Sequence, residues 1–205
     1  YTVISSHVFE HISNHEEFLL QLKNKNVKEF IFSIPNMIEY MNSFFPSLHF
    51  EHPILLHEDY LEFLFKKTGW KLLDKKYYNN HSIFYCIEPI ERCNSNSNYK
   101  LKDNIKNTVI NFITFYKKRI KFLHNYQFYV FGCHFPVYYL LSLGLPKECI
   151  LGIIDNDPKK QNKRMYGTDL MVSSLQNIPL DSNIVVEMGP YTEEIKKHLK
   201  KYTIL

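Results

Sequence analysis

Phe128-Tyr-Val-Phe-Gly-Cys-His-Phe-Pro-Val-Tyr-Tyr-Leu-Leu-Ser-Leu-Gly-Leu-Pro-Lys-Glu-Cys-Ile-Leu-Gly-Ile-Ile-Asp155 is the stretch that decides the fold class. Residues 128–131 are an apolar run of strand length, Gly132 opens a turn, and residues 135–143 read as a helix. Residues 149–154 are a second apolar strand, stopped by Asp155. Strand, helix and strand joined by links this short predict a parallel α/β sheet. Downstream the alternation continues. Val172-Ser-Ser174 leads into a short helix, 183–187 reads as a third strand and 192–201 as a third helix.

The first part of the chain alternates in the same way. Residues 2–5 form a short strand. Ser13 or Asn14 can cap a helix whose Glu16 and Glu17 suit its positive end and whose Phe18, Leu19 and Leu22 form its apolar face. Residues 30–34 are a strand stopped by Pro35, and 36–45 a short helix. In 57–67, Tyr60, Leu61, Leu64 and Phe65 recur at helical spacing before Gly69 ends the helix. Residues 70–75 and 82–88 predict an antiparallel pair around the turn at 77–80. The polar run Cys93-Asn-Ser-Asn-Ser-Asn98 reads as a linker. A long helix over 101–124 follows, with Leu101, Ile105, Val109, Phe112, Tyr116, Ile120 and Leu123 on one stripe. The expected domains are therefore 1–90, a linker 91–99, and 100–205, with two separate sheets.

Composition bounds the function. The chain has 205 residues, is 45% hydrophobic and carries a net charge of +4 from 25 basic and 21 acidic residues. It can bury a core, and its charge is too balanced to imply nucleic acid. No apolar run approaches the roughly 20 residues of a membrane helix, so no membrane insertion is expected. Arg92, Arg119 and Arg164 are the only arginines and Ala is absent. That bias fits AT-rich codons rather than a function. Cys86, Cys93, Cys133 and Cys149 form no Cys-x-x-Cys pair, which predicts reduced, buried thiols in a cytoplasmic protein and no zinc set. Residue 1 is Tyr and already begins a strand. The expectation is a fragment whose upstream part has been removed.

Three constellations could carry chemistry. Ser5-Ser-His-Val-Phe-Glu-His11 follows a strand, so it sits where open sheets bind ligands; an ordinary polar loop is the other reading. His49-Phe-Glu-His52, with His57 beyond it, places three histidines and a carboxylate within nine residues. Histidine moves protons near neutral pH, and a neighbouring Glu can orient an imidazole. A metal site is the rival, but Pro53 holds His52 extended and weakens helical ligand spacing; a solvated loop is the third possibility. His57 reads as a helix cap or a surface residue. The third constellation is Gly132-Cys-His-Phe-Pro136, where a dinucleotide fold places its glycines. His134 and Val137 stand at the second and third glycine positions, so a fold without that cofactor is expected, although Asp155 lies where a ribose-binding acid would.

The ordered set Ser6-His-Val-Phe-Glu-His-Ile12, Ile34-Pro35, Phe50-Glu-His52, Asn80-His-Ser82, Phe131-Gly132, Ile154-Asp-Asn-Asp-Pro-Lys159 and Tyr166-Gly-Thr168 resembles the sugar-nucleotide C-methyltransferases of surface-polysaccharide and deoxysugar pathways. The resemblance covers nearly the whole chain. It implies the C-terminal half of a Rossmann-like methyltransferase sheet followed by a second, small Rossmann-like α/β domain. It also implies methyl transfer from S-adenosylmethionine to a nucleotide sugar or related glycan precursor. His52 would be the general base, with Glu51 and His11 assisting. Family members can carry a Tyr three residues before that His, where this chain has His49. Ser5, Ser6 and His7 would contribute to the cofactor site.

The glycine-rich loop and the acidic residue that hold the cofactor would lie upstream of residue 1, in the missing N-terminal part of the same polypeptide. The 205 residues alone would then bind S-adenosylmethionine weakly or not at all. A non-enzymatic α/β binding or interaction module is the alternative, and a nucleotide-dependent sugar-modifying enzyme of another class a third.

Overall fold

The computed structural model describes residues 1–45, 51–91, 98–187, 189 and 191–205. His49, Cys93 and residues 92–97 of the expected linker lie outside the described residues. The chain divides into two compact units: Tyr1–Asn42 with Ser47–Thr108, and Ser43–Pro46 with Val109–Leu205.

In the first unit the elements run β1 (Thr2–Ser6), α1 (His15–Asn24), β2 (Glu29–Pro35), α2 (Met37–Asn42), α3 (Glu58–Thr68), β3 (Trp70–Tyr78) and β4 (Ser82–Pro89). Asn14, not Ser13, caps α1. Its side chain accepts the Glu17 N–H at 3.1 Å and donates to Glu17 Oε2 at 3.0 Å, so each residue satisfies the other. α3 ends where Gly69 takes φ 74°, a left-handed conformation that costs glycine little. The sheet order is β1-β2-β4-β3, with β1 and β2 parallel and the other pairings antiparallel. The 77–80 turn region connects β3 to β4 as expected, although β3 continues to Tyr78.

Alternation along β2 puts Phe30 and Phe32 on one face, where their rings stack at 4.7 Å. Phe9 meets Phe32 at 4.9 Å, and Tyr85 stacks on its other side at 5.2 Å. The Trp70 indole donates to Leu19 O at 3.2 Å and ties β3 to α1. β1 has β2 as its one neighbour among the described strands, and Ile4 on it is 76% exposed.

A long helix, α4 (Asp103–Leu123), begins in the first unit and continues in the second. Ile105, Phe112, Tyr116, Ile120 and Leu123 are buried as the stripe predicts, but Leu101 precedes the helix and is exposed. The second unit continues with β5 (Phe128–Phe131), α5 (Phe135–Ser142), β6 (Ile150–Ile154), β7 (Val172–Ser173), β8 (Asn183–Val185), α6 (Thr192–His198) and β9 (Thr203–Ile204). All pairings are parallel, in the order β7-β6-β5-β8-β9. The chain enters at the centre, steps to one edge, and then fills the other side, which is the order of a doubly wound sheet.

Residues 172–174 lead into a short helix as expected, the 3-10 helix Leu175–Asn177, but Val172 and Ser173 also pair as the short strand β7, and β9 has no forerunner in the sequence reading. Both strands are too short to show a two-residue period. Of the described cysteines, only Cys149 is buried. Cys86 and Cys133 are half-buried, and all three are free thiols. No described helix is long and apolar enough to cross a membrane.

Candidate functional site

The site in the first unit starts where β1 stops. His7 leaves the strand with φ 50°, its N–H still donating to Ser33 O of β2 at 3.1 Å. A 3-10 turn, Phe9–His11, follows. Phe9 is sunk in the core, and its carbonyl is held by His15 Nε2 at 2.9 Å. That anchor carries Glu10 inward, to 2% exposure, and leaves His11 exposed. The Asp/Glu-type side chain is seldom buried this far without partners.

Glu10 meets His7 Nδ1 through Oε1 at 3.3 Å, while its Oε2 is buried with no hydrogen-bond partner among the described residues. Burial pushes the Glu10 carboxyl above its usual value, opposed by a backbone N–H and by His7 and His11. His7 Nε2 lies 3.0 Å from Ser82 Oγ, which lies 2.5 Å from His81 Nδ1. The His81 ring is 5.5 Å from His7 and 5.9 Å from Tyr40. Burial, then the negative charge of Glu10, raises the Tyr40 phenol.

The loop 51–57 closes the other side. His11 Nδ1 is 2.8 Å from Glu51 O. A carbonyl only accepts, so Nδ1 carries the proton and the lone pair of a neutral His11 is on Nε2. The His11 and His52 rings are 5.0 Å apart, and ligand-type atoms of Glu10, His11 and His52 all lie within 4.8 Å of one another. The structure thus brings His7, His11 and His52 to one place. The exposed Glu51 reaches it through its carbonyl oxygen, and His49 lies outside the described residues. Ser5 pairs opposite Phe32 in the ladder, and Ser6 Oγ lies 2.9 Å from Ser33 Oγ.

The sequence reading left Glu10, Tyr40, His81 and Ser82 without roles. Glu10 was legible as the one carboxylate between two histidines, but its burial follows from Phe9 and not from spacing. The sequence reading found no clustered Cys/His set, and it did not consider the grouping of Glu10, His11 and His52. It weighed neighbours in sequence, whereas His11 and His52 come from separate segments.

His57 takes the cap position before α3, one of the two expected readings, and is not a surface residue. It stands before α3 with no side-chain capping bond, buried, with Nε2 3.1 Å from the Tyr99 hydroxyl. Burial lowers its pKa most, Lys102 lowers it further, and Asp59 and Glu58 oppose. A histidine lowered on folding contributes stability that is present above its unfolded value and lost as pH falls. Between pH of about 7.5 and about 5.5, across the unfolded value of about 6.5, the chain should lose more stability than its His57→Gln variant. Equal losses in denaturant melts would contradict this. His15, lowered in the same sense by burial, remains in both proteins, so the difference reports His57.

In the second unit the turn after β5 is filled by its own groups. Gly132 has φ +100°, and a Cβ there would meet the His134 ring at 2.5 Å. Asp155 accepts the N–H groups of Cys133 at 2.8 Å and Asp157 at 2.9 Å and pairs with Lys160 at 3.0 Å. Burial alone would raise the Asp155 carboxyl, but these donors hold it below the usual range. A cavity of about 480 Å³ lies near the carboxyl end of β5, lined by Phe131, Asn156, Leu175, Tyr191 and Ile195 among others. No protein-family model matches the chain, and no curated protein matches it either.

Proposed function

We propose that the first unit is the acceptor side of an S-adenosylmethionine-dependent methyltransferase domain acting on a nucleotide sugar or related glycan precursor, and that the second is an auxiliary Rossmann-like α/β domain. The observation that carries this is the meeting of His7, Glu10, His11 and His52 at the carboxyl end of β1, beside its parallel neighbour β2. Open α/β sheets take their ligands at that edge. His52 removes the proton that makes the acceptor nucleophilic. His11, held in one tautomer by the Glu51 carbonyl, faces it, and the buried Glu10 favours the imidazolium that forms.

The cofactor, whose sulfonium supplies the methyl group, fits the residues present in part. Ser6 and Ser33 offer hydroxyls at the strand ends, but His7 is already engaged by Glu10 and Ser82. On this reading the remainder of the cofactor site lies beside β1, whose one strand neighbour among the described residues is β2. A partial site leaves ligand charges unpaired. Calorimetric titration of the 205-residue chain should therefore show weak binding of S-adenosylmethionine or none. Low-micromolar affinity would overturn the placement. The occupied turn around Gly132 and Asp155 favours a structural or binding role for the second unit over nucleotide chemistry.

A further inference from the structure

We infer that Glu10, His11 and His52 form a binding site for one divalent first-row transition ion of the Zn²⁺ type. Three features of the geometry point there independently of methyl transfer. The three side chains each present a ligand-type atom, and these atoms lie within 4.8 Å of one another. Donors around one tetrahedral ion at about 2.1 Å stand roughly 3.4 Å apart, so the set closes when its longest separation shortens by about 1.4 Å at most. Two imidazoles with one carboxylate suit first-row divalent ions and leave open positions.

The second feature is the orphaned Glu10 Oε2. The side chain is 2% exposed, its Oε1 is held by His7, and Oε2 is buried with no hydrogen-bond partner among the described residues. Leaving a buried carboxylate oxygen unmet is costly, and a cation removes that cost.

The third is the support behind the donors. His11 donates its Nδ1 proton to Glu51 O at 2.8 Å, which leaves Nε2 as the lone-pair nitrogen of the neutral ring. Metal-bound histidines are held in this way by a carbonyl or carboxylate on the far nitrogen. His7, bridging Glu10 Oε1 and Ser82 Oγ, holds the carboxylate from behind. An ion seated here takes the lone pair of His52. It therefore competes with proton removal by that residue, and the site becomes sensitive to free Zn²⁺.

The test is equilibrium dialysis of the chain against Zn²⁺, read by elemental analysis, with Co²⁺ absorption reporting coordination. The expected result is one ion per chain with nitrogen and oxygen ligands. His7→Ala should weaken it by about 10–100-fold as an outer partner, and His11→Ala should weaken it more. His11 is exposed, so its variant is a safe one for folding, and circular dichroism checks this for Glu10→Gln. His124→Ala and His198→Ala should leave affinity unchanged. Binding unaltered in both His11→Ala and Glu10→Gln, or no ion retained at micromolar Zn²⁺, would overturn the inference. Because the readout is metal content, failure here leaves methyl transfer standing, and failure of methyl transfer leaves the ion site standing.

Discussion

His52→Ala is expected to lower methyl-transfer turnover by about 10²–10⁴-fold, the usual cost of losing a general base, with much less effect on substrate KM. The acceptor becomes nucleophilic only on losing a proton, and imidazole, with an ordinary pKa of about 6.5, is suited to take it near neutral pH. Glu51→Gln separates the alternative in which the carboxylate acts. The Glu51 side chain is exposed, and its contribution to the site is a backbone carbonyl, which the substitution keeps. Its kcat should stay close to that of the unaltered protein. Unchanged kcat in His52→Ala with a collapse in Glu51→Gln would reverse the assignment.

Phe32→Ala should destabilise the first unit by about 3–5 kcal/mol, as for other buried aromatic truncations. Phe32 sits between Phe9, Phe30, Phe65 and Tyr85, at centroid distances of 4.9, 4.7, 6.2 and 5.2 Å. The neighbouring rings belong to different elements, so the cavity cannot close by one small shift. The loss is a large part of a typical domain stability of about 5–15 kcal/mol. It also loosens Phe9, whose burial turns Glu10 inward. Urea melts followed by tryptophan fluorescence of Trp70 check this, and a loss under about 1.5 kcal/mol, the range of well-tolerated core swaps, would contradict it.

Much of the fold was legible because its signals are local. The apolar runs at 30–34 and 149–154, the helical spacing of Tyr60 to Phe65, the Gly69 stop and the one-sided stripe of α4 each depend on neighbours in sequence. β9 and the two-residue β7 were not, since such short strands are defined by their pairing to β8 and β6 and carry no period of their own. The site divides in the same way. His7, His11 and His52 could be picked out by residue type and by position after a strand. Their meeting could not, because it depends on a tertiary contact between His11 and the carbonyl of Glu51, 40 residues apart in the chain. Glu10 was overlooked because acids beside histidines are usually solvated, and only the anchoring of Phe9 makes this one buried.

The central claim is that this polar cluster serves methyl transfer to a sugar-linked acceptor. The direct measurement follows a labelled methyl group from S-adenosylmethionine into nucleotide sugars by mass spectrometry, using the native polypeptide that carries this chain and its His52→Ala and Glu10→Gln forms. The account predicts label in a nucleotide-sugar product, nearly abolished in His52→Ala and reduced in Glu10→Gln. Absence of label from every nucleotide sugar, or equal labelling by all three proteins, would contradict it.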